Sequence, residues 1–231
     1  MNARKHTQYP SWKTWLSYLW EQHLESVSSE HNPHLYVSLS KGRLQLSAAH
    51  AIYSFEDLYD NFRLAFEAMD WKLFPGEKVL VLGLGLGSVP QILEQHCHRA
   101  FSYTTVEIDE AVIYLAQKYA LHRLRSPMQV VCADASAFVL QCEETFDLIT
   151  MDVFQDDEVP AVFLEKPFLQ NLKKLLSPQG LLMYNMLART KEDKKRTNSF
   201  YQNRFLKVFP EGQSLPVRGN SMLLSHPAYL K

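Results

Sequence analysis

The sequence predicts an α/β protein built on a mostly parallel, seven-stranded sheet that ends in an antiparallel hairpin. Five short apolar runs, KVLVLGLG, YTTVEID, MQVVCAD, FDLITMDVF and GLLMYNML, alternate with helical patterns from Lys78 onward. Alternation of this kind places parallel strands side by side with helices as crossovers. The helical patterns lie near residues 88–97, 110–121, 135–141 and 161–176, one in each gap. After a charged helix containing KEDKKR come two strand-like runs, RFLKVFPEGQSLPV and NSMLLSH, separated by Arg218-Gly219-Asn220. They read as a closing hairpin.

The earlier part of the chain follows other periods. From Ser11 to about Val27, Trp12, Trp15, Leu16, Leu19, Trp20 and Leu24 recur at helical spacing behind Ser11 as N-cap. One helix covering the body of its own domain is expected there, with a docking or dimer face as the competing reading. LYVSLSKGRLQLS alternates on either side of Lys41-Gly42, the pattern of a β-hairpin. FEDLYDNFRLAFEAMDW sets Leu58, Phe62, Ala65, Phe66 and Met69 on one helical face. Pro75-Gly76 then punctuates the chain. The expected division is an N-terminal helix, hairpin and linking helix over 1–74, and a ligand-binding domain over 75–231.

Composition excludes several partners. Lys plus Arg come to 24 and Asp plus Glu to 25, so no global field draws the chain toward nucleic acid or an anionic membrane. Three cysteines without a C-x-x-C pair argue against a disulfide framework or a zinc ribbon, and for a reducing cytoplasm. No apolar stretch approaches the ~20 residues that span a bilayer. The first residues lack the apolar core of a signal peptide. His96-Cys97-His98 does not make a metal site, because neighbouring helical side chains diverge by about 100°. Lys191 to Arg196 includes two acids and reads as a solvated helix face.

The chemistry concentrates at strand tips. Gly83-Leu84-Gly85-Leu86-Gly87-Ser88 joins an apolar strand to a helix, where glycine lets a ligand approach the turn backbone. Tight strand-to-helix packing would select the same glycines. Glu107 ends the next strand twenty residues after Gly87, suited to accept both hydroxyls of a ribose diol. Asp134, with the adjacent backbone at Ala135, can receive the exocyclic amine of adenine, with Ser136 and Phe138 bordering the ring. Asp152 ends the fourth strand, and Asn185 the fifth, as a further pocket candidate. One glycine turn and three strand-tip acids together indicate an adenosine-containing ligand. A nicotinamide dehydrogenase would leave Asp134 and the terminal hairpin unexplained.

In these residues the chain resembles the spermidine synthase-like (polyamine aminopropyltransferase) branch of the S-adenosylmethionine-dependent methyltransferase fold, over roughly residues 35 to 225. The carrying strings are VLVLGLGLGS, TVEIDEAVI, CADASAFV and FDLITMDVFQDDEVPAVFLEKPFLQNLKKLLSPQGLLMYNML. The resemblance implies a cofactor, S-adenosylmethionine or its decarboxylated form, held by Gly83, Gly85, Gly87, Glu107, Ile108, Asp134, Ala135 and Gln45. Gly42 and Gln45 match the branch's N-terminal glycine–glutamine spacing. Glu56 matches the glutamate of its Tyr-x-Glu, whereas the tyrosine is absent or displaced to Tyr53. The branch usually has an aspartate at the position of Leu86, a second loop aspartate at that of Gln155, and an acid at that of His50. Asp156 takes the loop role only with a one-residue insertion. Losing acids near the methionine end removes a repulsion against a cofactor carboxylate, so ordinary S-adenosylmethionine is expected to bind at least as well as the decarboxylated form.

The implied function is methyl or aminopropyl transfer to a small nucleophile, an amine above all. Asp152 and Asp156 are the catalytic candidates, with Asp157 and Glu158 in reserve, since an amine must lose a proton before attack. No metal is implied. The partner is a small-molecule substrate, with a homodimer left open. The alternative is a catalytically silent module that binds an adenosine ligand or a partner.

Overall fold

Each apolar run from Lys78 onward becomes a strand of one sheet, in a computed structural model that describes residues 11–48, 52–155 and 158–231. The strands are β5 (Lys78–Leu82), β6 (Ser102–Glu107), β7 (Met128–Cys132), β8 (Phe146–Met151) and β9 (Leu176–Leu187), followed by β10 (Gln213–Val217) and β11 (Asn220–Leu224). Their order is β10-β11-β9-β8-β5-β6-β7. The five strands from β9 to β7 pair in parallel, and β11 and β10 close the sheet antiparallel. The chain builds outward from β5 to β6 and β7, then returns to β5's other side through β8. That reversal opens a crevice between the carboxyl ends of β5 and β8, the place where open α/β sheets bind ligands.

Helices cover both faces, each by its apolar stripe. α2 (Asp60–Glu67) and α3 (Ser88–Gln91) pack Phe62, Ala65, Phe66 and Val89 against Val79, Val81 and Leu148. On the other face, α5 (Ala135–Gln141) and α6 (Lys166–Leu175) join Leu80, Leu82 and Ile149. Ahead of the main sheet lies a four-stranded antiparallel sheet: β1 (Gln22–Val27), β2 (Leu35–Ser40), β3 (Arg43–Ser47) and β4 (Ile52–Ser54). Its Val37, Leu39, Leu44 and Leu46 share an apolar layer with Leu84 and Leu86 of the glycine turn and with Leu115 and Ala116 of α4 (Glu110–Tyr119). The sequence division at residue 74 therefore falls inside a shared core.

Two expectations change. The helix expected from Ser11 to Val27 stops early, as α1 (Ser11–Leu16), and its C-terminal part becomes β1. The spacing of Trp20, Leu24 and Val27 fits a helix. Pairing with β2, which lets Leu24 and Val27 reach the apolar layer, overrides it. Nor does α1 cover the body of the domain: Trp12, Trp15 and Trp20 are 57%, 64% and 58% exposed. The segment is nonetheless anchored, since Lys41 N–H donates to the Ser17 carbonyl and Gly42 N–H to Ser17 Oγ.

The second change is at Arg204–Val208, expected as strand. After α7 (Lys191–Phe200) the chain continues through a π turn over Tyr201–Phe205 into α8 (Leu206–Val208). Phe205, Val208 and Phe209 enter the core at helical spacing, and Phe205 packs its ring 5.0 Å from that of Phe209.

Candidate functional site

A cavity of about 600 Å³ opens at the β5/β8 crevice, and strand tips, the glycine turn, the start of α2 and the closing hairpin all contribute to its wall. Gly83 and Gly85 line it with φ of 91° and 53°. A Cβ on Gly85 would stand 2.9 Å from Ser54 Cβ and 3.1 Å from the Tyr53 carbonyl oxygen, so β4 lies directly on the turn. Ser54 Oγ and Ser88 Oγ are 2.7 Å apart across that contact. Gly87 caps the start of α3 and is not part of the cavity wall.

Glu107 stands at the tip of β6. Its Oε1 accepts from the backbone N–H of Ile108 (2.9 Å) and Asp109 (3.2 Å), and its Oε2 from that of Leu84 (3.1 Å). Burial raises its carboxyl above the usual range, against these three hydrogen bonds. An ionised carboxylate has about four lone-pair sites. Three are taken, so Glu107 in this arrangement has room for one further donor, not the two expected of a ribose diol. Asp134 and Ala135 also border the cavity. Asp134 doubles as the N-cap of α5, where its Oδ1 accepts from Ala137 N–H and from Ser136 Oγ. Ser136 and Phe138, expected to border the ring, are not in the wall; Phe138 packs against the core.

Asp152, just past the tip of β8, borders the same cavity and is held by two neutral donors. Tyr59 OH donates to its Oδ2 (2.9 Å) and Asn185 Nδ2 to its Oδ1 (2.7 Å), while Asn220 Nδ2 donates to Asn185 Oδ1 (2.9 Å). Burial pushes the Asp152 carboxyl up to about 6, the two hydrogen bonds opposing it. Burial drives the Tyr59 hydroxyl well above its ordinary range, and the Asp152 charge adds to that. Tyr59 therefore stays a donor. Tyr59 and Asn220 escaped the sequence reading because one immediately precedes α2 and the other opens β11, 93 and 68 residues in sequence from Asp152.

A model of the spermine/spermidine synthase domain matches residues 70–213 of the chain. The chain belongs to that family. Among curated relatives, the polyamine aminopropyltransferase of Vibrio vulnificus is 30% identical over 50% of this chain and 39% of its own length. The eEF1A lysine and N-terminal methyltransferase homolog of Drosophila melanogaster is 33% identical over 57% of this chain and 20% of its own. The chain thus spans well under half the length of either. Human methyltransferase-like protein 13, solved in complex with SAH, superposes with a TM-score of 0.56 at 25% identity, covering 67% of this chain and 73% of that one. The spermidine synthase of Thermotoga maritima shares the fold, with a TM-score of 0.66 at 18% identity, covering 88% of this chain and 72% of its own.

Against the family pattern, several positions have other duties here. Leu86 is fully buried in the layer between the four-stranded sheet and α4, and does not border the cavity. Its difference from aspartate therefore changes a core position rather than the charge facing a ligand. Glu56 turns inward with φ 40° and is bound by Arg123 (2.5 Å), with Arg43 3.7 Å away. Gln45 donates to Ser47 Oγ (2.9 Å) and is also absent from the wall. Tyr53 is in the wall, where its hydroxyl donates to Asn32 Oδ1 (2.8 Å). Asn32 and Ser29 donate to Asp109, which ties the loop after β1 to the start of α4. Gln155 borders the cavity, and Glu158 pairs with Arg196. Asp156, Asp157 and His50 lie outside the described residues.

Proposed function

We propose that the chain is a sulfonium-cofactor-dependent transferase that moves a methyl or aminopropyl group to an amine. The observation that carries this reading is one cavity with two chemistries. An adenosine-type half (Gly83, Gly85, Glu107, Ile108, Asp134, Ala135) adjoins a buried carboxylate, Asp152, that neutral donors hold in place. The fit to the cofactor rests on Glu107's remaining lone pair and on Asp134 and Ala135 in the same wall as the glycine turn. Bound S-adenosylmethionine, or its decarboxylated form, supplies an electrophilic carbon beside a positively charged sulfur. Glu107 would hold a ribose hydroxyl, and Asp134 with the Ala135 backbone the adenine amine.

Asp152 would orient an ammonium and take its proton. A carboxyl pushed up to about 6 is ionised at neutral pH, yet is a stronger base than a free aspartate. Asp156 is the second acid proposed for this step. The relatives named for polyamine and for lysine or N-terminal transfer support an amine as acceptor.

Calorimetry with both cofactor forms tests the reading. Gln155 borders the cavity where the branch usually has an acid, so S-adenosylmethionine is expected to bind at least as tightly as the decarboxylated form, and Glu107→Gln to weaken both at least tenfold. A strong preference for the decarboxylated form would sink the cofactor part of the proposal. Labelled cofactor should turn over against a pool of amines. Tight binding without turnover would favour a silent adenosine-binding module instead.

Two further parts of the proposal concern the whole molecule. Among the described residues, no helix is long and apolar enough to cross a membrane, and Cys97, Cys132 and Cys142 are free thiols. The thiols support a cytoplasmic location, which cell fractionation checks. The exposed Trp12, Trp15 and Trp20 support a homodimer; sedimentation should find a dimer that Trp15→Ser converts to monomer.

A further inference from the structure

Glu107 alone leaves a ribose diol half-bound. Its three backbone hydrogen bonds leave one lone-pair site, so a second hydroxyl needs an acceptor from elsewhere in the wall. Gln45 of the small sheet donates to Ser47 Oγ and does not border the cavity. The small sheet reaches the cavity by another route. Between β1 and β2 the chain closes a tight turn, in which Ser29 N–H donates to the Asn32 carbonyl (2.9 Å) and Asn32 N–H to Ser29 Oγ (2.9 Å). Both ends of this turn are fastened beside the tip of β6, where Asp109 Oδ2 accepts from Ser29 Oγ (2.6 Å) and from Asn32 Nδ2 (2.8 Å). Asp109 is itself buried as the N-cap of α4, and its backbone N–H donates to Glu107 Oε1. Tyr53 OH donates to Asn32 Oδ1 from β4. The two residues at the tip of the turn, Glu30 and His31, stand exposed in the same wall as Glu107 and Ile108.

We propose that the Ser29–Asn32 turn completes a ribose subsite: Glu107 takes one hydroxyl of the diol and the Glu30 carboxylate takes the other. This deepens the transferase reading and rests on it. A hydroxyl that donates to a carboxylate makes a charge-assisted bond, stronger than one to a neutral acceptor. The fastening contributes as much as the charge. A free loop would give up its conformational freedom when the ligand binds. A turn already bonded to Asp109 and Tyr53 presents Glu30 in place, so less of the contact is spent on ordering. The two hydroxyls are thereby read at separate points, one on each sheet.

Calorimetry on the full chain with S-adenosylhomocysteine and its 2′-deoxy and 3′-deoxy forms tests this. Each deoxy form is expected to bind the parent about fivefold or more weakly than the ribose form. Glu30→Ala, at an exposed position, should erase the penalty of one deoxy form to within about twofold and leave that of the other in place. Asn32→Ala, which unfastens the turn and keeps Glu30, should shrink the same penalty. Both penalties surviving in Glu30→Ala, both vanishing there, or a parent indifferent to one hydroxyl each overturn the assignment and leave the transferase reading standing. Failure of the parent to bind S-adenosylhomocysteine at all overturns both.

Discussion

Asp152→Asn is expected to cut turnover by orders of magnitude while making the folded chain more stable at neutral pH. Both effects come from the same burial. The carboxyl is pushed up to about 6 from an ordinary 3.8, because ionising it inside the cavity wall costs more than Tyr59 and Asn185 return. A group whose folded pKa is raised binds its proton more tightly in the folded state. Its contribution to stability is therefore complete below about pH 4 and is lost as pH rises to about 6 and beyond. At pH 7.5 the ionised side chain costs the fold on the order of 3 kcal/mol. Asparagine keeps the shape and removes the charge. Its oxygen can accept from Asn185 Nδ2, and its amide can donate to the Tyr59 hydroxyl, which rotates to accept.

Thermal melting should place Asp152→Asn roughly 6–12 °C above the parent at pH 7.5, with the gap closing by pH 4. Turnover should fall by about 10²–10⁴, the usual worth of a positioned base. The parent should lose turnover as pH falls through about 6. Equal melting temperatures at both pH values would show that the buried charge is not strained. Undiminished turnover would remove Asp152 from the chemistry.

The strand-tip acids were legible because a parallel sheet fixes where each strand ends, and Glu107, Asp134 and Asp152 each follow an apolar run. Their partners were not legible. Tyr59 reaches Asp152 because α2, which it precedes, packs on the sheet against the closing hairpin, and Asn220 because that hairpin lies beside β9. Periodicity assigns a residue to a face of its own element but says nothing about which distant element that face meets. Motif spacing misleads for a related reason. Glu56 keeps its place in the sequence pattern, yet a left-handed backbone turns it toward Arg123. Asp134 is ambiguous in another way: an acid that opens a helix is an N-cap whether or not it also meets a ligand. The strand at Gln22–Val27 and the helical Arg204–Val208 were missed where apolar spacing suited more than one period, and tertiary packing chose between them.

Gly83→Ala should have the other large effect, through the backbone that carries Asp152. A Cβ on Gly83 would stand 2.3 Å from the Asp152 carbonyl oxygen and 2.9 Å from its carbonyl carbon. No side-chain rotation relieves that collision, because both partners are main chain held by the sheet. Gly83 N–H donates to the Val106 carbonyl and Asp152 N–H to that of Leu82. The φ of 91° adds strain for any residue with a side chain. Relief requires β5 and β8 to part at their tips, which moves Asp152 away from Tyr59 and Asn185. Together these effects should cost about 3–5 kcal/mol, a fall of roughly 10 °C or more in melting temperature, and turnover should drop with it. Gly219→Ala is the control. Its φ of 72° carries similar strain, but its nearest neighbour is the Arg189 side chain at 3.4 Å. It should cost about 1–2 kcal/mol. If the two variants melt together, the collision at Gly83 is absorbed elsewhere and the glycine belongs to ligand approach alone. If Gly83→Ala is far the worse, strand packing is sufficient reason for that glycine, and the adenosine reading rests on Glu107 and Asp134 instead.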